Sequence, residues 1–63
     1  MTNMAMTWMK WLQEYGYMDG IDVADMDDAG IRIMAADYLD GCDEYDTEYD
    51  DDISADMIKW ARM

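Results

Sequence analysis

The chain has 63 residues, 52% of them hydrophobic, and sets 16 Asp and Glu against four Lys and Arg, for a formal net charge of −12 at pH 7. That balance weighs against direct binding to DNA, RNA or an anionic bilayer, and three Trp with five Tyr weigh against a disordered acidic tail. Residues 1–63 make one small domain, and with Cys42 as the one cysteine and no histidine neither an internal disulfide nor a Cys/His zinc site can support it.

Thr2 or Asn3 is placed to cap a first helix whose apolar residues Met4, Trp8, Trp11, Leu12 and Tyr15 follow the spacing of one helical face. Gly16 stands where a left-handed C-cap belongs. Met6 and Met9 fall off that stripe, so the helix has a second apolar side; core packing is its first reading, and a Met/Trp surface joining two copies in a homodimer is the other. The N-terminal run lacks a basic segment and reaches Gln13 and Glu14 before it is long enough to span a bilayer. No membrane segment or signal peptide is expected, and the expected location is cytoplasmic, in the host cell if the protein is phage-encoded.

After Gly16 the Asp-rich segment around Gly20 signals turns and caps, and two structures compete beyond it. Asp27 or Asp28 can cap a helix carrying Ile31, Met34, Ala35, Tyr38 and Cys42, ended by Gly41, at a cost of about 1 kcal/mol for Gly30 near its first turn. Alternatively Ile21 to Val23 and Ile31 to Met34 form a short hairpin. Thr47 with Asp50 three positions on resembles a capping box, and Asp50, Asp51 and Asp52 then load the first turn of a last helix lined by Tyr49, Ile53, Met57, Trp60 and Ala61, with Lys59 and Arg62 at its end. The expected fold is all-α, a small three-helix bundle with Trp8 or Trp11 meeting Trp60 near its centre. The alternative is α+β, with a hairpin at about residues 21–34 between two terminal helices.

Calcium is the first ligand an Asp-rich loop suggests, and Asp25, Asp27 and Gly30 match positions 1, 3 and 6 of an EF-hand loop. Ala29 and Ala36 then stand where position 5 and the bidentate Glu of position 12 belong, so no metal site is expected. A chain this small can hardly enclose the pocket that would give two carboxylates different protonation states. Cys42, flanked by Gly41 and Asp43, has no base to activate it. No enzyme activity and no cofactor are expected. Tyr45 and Tyr49, each bracketed by acids, read as surface rings rather than as modification sites.

Residues 37–56 hold ten of the sixteen acids, and like charges at helical spacing cost about 0.2–0.5 kcal/mol per pair. Such self-repulsion is retained for solubility, for a salt-rich cytoplasm or for binding, and thirteen of the acids are Asp, whose short side chain loses little freedom in a fixed pattern. In size, acidity and absence of catalytic residues the chain resembles the small phage-encoded DNA-mimic inhibitors, anti-CRISPR and anti-restriction proteins among them; the resemblance is of kind, with no alignable motif. It implies a basic partner, a nucleic-acid-binding protein or ribonucleoprotein complex whose Lys/Arg groove is filled in place of DNA or RNA. The implied contact residues are Asp37, Asp40, Asp43, Glu44, Asp46, Glu48, Asp50, Asp51 and Asp52. The competing class is a helical adaptor that takes a partner helix or peptide on its Met/Trp surface, its charge serving solubility or halophilic adaptation.

Overall fold

Each helix begins where a short polar side chain takes up an amide left over at the helix start, an arrangement worth about 1 kcal/mol per cap. In the computed structural model, which describes residues 2–63, Thr2 Oγ accepts from the Ala5 N–H at 3.1 Å and opens α1, Asn3–Glu14. Asp27 Oδ1 accepts from the Gly30 N–H at 2.8 Å and opens α2, Asp28–Glu44. Ser54 Oγ accepts from the Met57 N–H at 3.2 Å and opens α3, Ala55–Ala61. The fold is all-α, a small three-helix bundle. Residues 21–34 are not a hairpin: Asp22 caps a single 3-10 turn, Val23–Asp25, and Asp27 starts α2 directly after it. Gly30 costs α2 less than its propensity suggests, because a Cβ there would lie 3.2 Å from Met26 Cε and 3.3 Å from the capping Asp27 oxygen.

Two helix ends share one geometry. In α1, Tyr17 N–H reaches the Leu12 carbonyl and Gly16 N–H the Gln13 carbonyl, with Gly16 at φ +80; in α2, Thr47 N–H reaches Cys42 and Asp46 N–H reaches Asp43. Both are Schellman closures. The second places Asp46 in the left-handed region, at φ 54, where glycine would be unstrained. Gly41 therefore does not end α2. Its helix continues a full turn further because the buried stripe Ile31, Ala35, Leu39 and Cys42 still has a core to face.

The last helix starts later than the Thr47 and Asp50 pattern predicts. Asp50 Oδ1 instead accepts from the Asp52 N–H at 2.9 Å, an Asx turn that competes with helix, and the Asp50 N–H is taken by the Tyr38 hydroxyl. Asp50, Asp51 and Asp52 thus lie in the loop. Ile53, buried, and Ile58, packed against the core, take the two positions that flank the true start as a hydrophobic staple.

Trp8, Leu12, Ile31 and Leu39 are the largest fully buried side chains, joined in the core by Met57 and Ala61 of α3 and by Met18 of the first connection. Thr2 N–H bonds to the Asp28 carboxylate at one end of α1 and the Trp11 ring packs against Tyr38 at the other, so α1 and α2 run in the same general direction. Residues 15–27 make the return. Trp60 is not at the centre: it is half-buried against the core's edge, with the Arg32 guanidinium 4.5 Å from its ring centroid.

Leu12→Ala is expected to cost about 2–5 kcal/mol in urea unfolding and Trp60→Ala clearly less; equal losses would place Trp60 in the core after all. Asp46→Gly is expected to raise stability by about 1 kcal/mol, read as a higher urea midpoint at unchanged slope, by removing the left-handed strain of a residue with a Cβ.

Candidate acidic interface

The second half of α2 carries Asp37, Asp40 and Glu44 at i, i+3 and i+7, all exposed, so they form one line along its outer face. Among the described residues neither Asp37 nor Glu44 has a hydrogen-bonding or ionic partner, and Asp40 meets Arg62 at 3.6 Å, with its own side chain 69% exposed. From Asp37 to Glu44 the helix rises by about 10.5 Å. Asp43 turns to the side, where its carboxylate takes the Arg62 guanidinium at 2.7 Å and the Tyr49 hydroxyl at 2.8 Å.

Arg62, a cation outside the acidic stretch in sequence, folds back into it. Tyr49 donates to Asp43 and accepts from Arg62 at 3.1 Å. The hydrogen bonds to Tyr49 and then to Asp43 raise the Arg62 pKa further, so it stays charged. These exposed contacts contribute little to stability, because water screens a surface pair and holding two long side chains together costs entropy. Their effect is to fix the direction of Asp43 and to set a cation beside Asp40, the middle acid of the line.

The loop from Tyr45 to Ser54 adds the remaining acids. Asp46, Glu48 and Asp51 are exposed, and Asp50 is half-buried. The Asp50 N–H donates to the Tyr38 hydroxyl at 3.1 Å, and Asp52 accepts from the Tyr15 hydroxyl at 3.1 Å. Two tyrosines thereby tie the loop to α1 and α2. Of the nine predicted contact residues, the fold places Asp37, Asp40 and Glu44 on one helical face, leaves Asp46, Glu48 and Asp51 outward on the loop, and turns Asp43, Asp50 and Asp52 to internal hydrogen bonds. Of the rings among the carboxylates, Tyr45 is 77% exposed, whereas Tyr49 and Tyr38 are engaged.

Sequence reasoning passed over Tyr17. It stacks on Trp11 at 5.6 Å with the rings 14° from parallel, and meets Tyr38 edge-on at 5.6 Å, yet remains half exposed. Its placement follows from Gly16, whose left-handed turn sends the chain back over α1. Among the described residues no group of three or more His, Cys, Asp or Glu side chains is gathered as metal ligands, and no helix is long and apolar enough to cross a membrane.

No family model, curated protein or solved structure matches this chain.

Burial, ahead of a contact with Cys42, raises the Tyr38 phenol above its ordinary 10.0. The hydrogen bond to Asp52, aided by the charge of Asp50, raises Tyr15 in the same direction. A folded pKa raised above the unfolded one gives stability that is complete below pH 10 and lost as pH rises through the folded value. Melting is therefore expected to fall steeply above about pH 10. Tyr38→Phe should lower stability at neutral pH by about 1–2 kcal/mol, since the Asp50 N–H loses its acceptor, and should flatten the alkaline fall. An alkaline fall identical in both proteins would assign it to other groups.

Proposed function

We propose that this protein binds a basic nucleic-acid-binding protein or ribonucleoprotein complex and fills its Lys/Arg groove in place of DNA or RNA, as an inhibitor of the anti-restriction or anti-CRISPR kind. The observation that supports this reading most is the line of Asp37, Asp40 and Glu44, exposed on a helix whose other face is held in the core. The three charges span about 10.5 Å of helix at intervals of about 4.5 and 6 Å, a sparser row than the roughly 3.4 Å per charge along each strand of DNA. Because the line stands on a packed helix, its spacing is set before a partner arrives, so little ordering entropy is lost on binding. The exposed acids of the loop widen the charged surface beyond the helix.

The adaptor reading has less surface to work with. Trp8 and Trp11 are buried, Met4 and Met9 are half-buried, and Met6 is the exposed member of that group at 53%. The same burial narrows the Met/Trp face available to a second copy.

The test is competition between this protein and DNA for a captured basic partner. Neutralising the line with Asp37→Asn, Asp40→Asn and Glu44→Gln is expected to weaken binding by tenfold or more, about 1.4 kcal/mol, while the equal charge change Glu14→Gln, Asp19→Asn and Asp25→Asn has a much smaller effect. Binding should also disappear by about 0.5 M salt, where screening shortens to a few Å. Equal losses from both triple variants, or affinity that survives that salt, would reject the proposal.

A further inference from the structure

Beside the acidic line lies a groove. Leu12, Met34 and the rings of Tyr17 and Tyr38 line a cavity of about 240 Å³, with Asp37 at its edge. A second hollow of about 250 Å³ shares Tyr17, Asp37 and Tyr38 and continues along α2 past Gly41 to Thr47. Each is smaller than the roughly 300 Å³ at which sites for small organic ligands begin, and together they make a trough of side-chain width. The trough is apolar along its base, aromatic at one wall and anionic at its lip.

That combination selects a particular side chain. A purely apolar residue would fill the base but would bury the Asp37 carboxylate against hydrocarbon, which is costly. A long cationic residue satisfies both parts, its methylene stem on Leu12 and Met34 and its head against Asp37 and the open face of Tyr17. Arginine suits this better than lysine, since a planar guanidinium pairs with carboxylate and stacks on an aromatic ring at once. The chain already uses such stacking, with Arg32 over Trp60 at 4.5 Å. The surroundings favour the same occupant: Asp40 and Glu44 follow Asp37 on the exposed face of α2, and Arg62, held chiefly by Asp43 and Tyr49, reaches Asp40 at 3.6 Å but makes no bond to Asp37 or Glu44.

The geometry points to the trough between Tyr17 and α2 as the anchor pocket for one arginine side chain of the basic partner. This inference rests on the acidic-interface reading and adds to it a site of specificity: the line of carboxylates attracts the partner, and the trough selects arginine at one position. The pocket needs no rearrangement of the core, because Tyr17 is held from behind by Trp11 and Tyr38 by its bond from the Asp50 amide.

The experiment measures binding of two peptides of equal charge, octa-arginine and octa-lysine, to the full chain by isothermal titration at low salt, with nuclear magnetic resonance of the Tyr17 and Tyr38 ring protons. Octa-arginine is expected to bind several-fold more tightly and to shift both rings. Asp37→Asn should weaken it by about fivefold, against less than about twofold for the equal neutralisation Asp51→Asn. Tyr17→Leu should remove the preference for arginine, and Tyr17→Phe should keep it. Because Asp37 is exposed and makes no bond in the fold, its variant decides the matter even if Tyr17→Leu unfolds. Equal effects of Asp37→Asn and Asp51→Asn, with no arginine preference, overturn the pocket and leave the acidic interface standing. Failure of both peptides to bind overturns the two together.

Discussion

The bundle depends on the burial of Trp8. Its indole is fully buried and its Nε1–H donates to the Met57 carbonyl at 2.9 Å, a link between residues 49 apart in the chain. The same ring lies edge-on to Trp11 and to Tyr38 of α2, so one side chain touches all three helices. The hydrogen bond is necessary because a buried indole N–H without an acceptor costs about 1–3 kcal/mol. Trp11 is held differently: among the described residues its Nε1–H has no protein acceptor, and its ring packs among Tyr15, Tyr17 and Tyr38.

The core of so short a chain is small, and several large apolar residues, Met6, Ile21, Ile33 and Tyr45 among them, stay exposed. The three Trp side chains are buried or half-buried, while the outward positions in the second half of α2 and the following loop are mostly carboxylates. Several of these have local work. Asp22 and Asp27 start helical turns, Asp28 joins the starts of α1 and α2, and Asp50 and Asp52 close the loop against tyrosines and against each other. The acids that take no part in such bonds, Asp37, Glu44, Glu48 and Asp51 among them, raise the electrostatic energy of the folded state without stabilising it. They are the ones an opposite charge would relieve.

The aromatic cluster connects the two parts. Tyr38 faces the core with its ring and holds the acidic loop through its hydroxyl; Tyr17 covers Trp11 and stands beside Asp37. Packing and charge display are therefore built on the same residues. Stiffness of the core is passed to the spacing of the carboxylates, which distinguishes this surface from an acidic tail of equal charge.

Local signals in the amino-acid sequence determined the span of α1 and the stripe of α2 and pointed to the all-α class, with caps at Thr2 or Asn3 and at Asp27 or Asp28, because capping and helical periodicity act between residues three or four apart; packing chose Thr2, Asp27 and helix over the hairpin at 21–34. They also determined that the carboxylates concentrate in the second half of the chain. Tertiary structure decided the rest. The start of α3 moved from Thr47 to Ser54 because the Asx turn at Asp50 and the bond from its amide to Tyr38 hold that segment as loop where the chain had a capping-like pattern, and the end of α2 moved past Gly41 because the core still faced its buried stripe. The choice of Trp8 over Trp60 as the central indole, the return of Arg62 to Asp43, and the meeting of Tyr17 with Asp37 and Tyr38 join residues 19 to 49 positions apart, or lie across a connection between helices. No periodicity within a single element carries such pairings, since they exist only once the helices have packed.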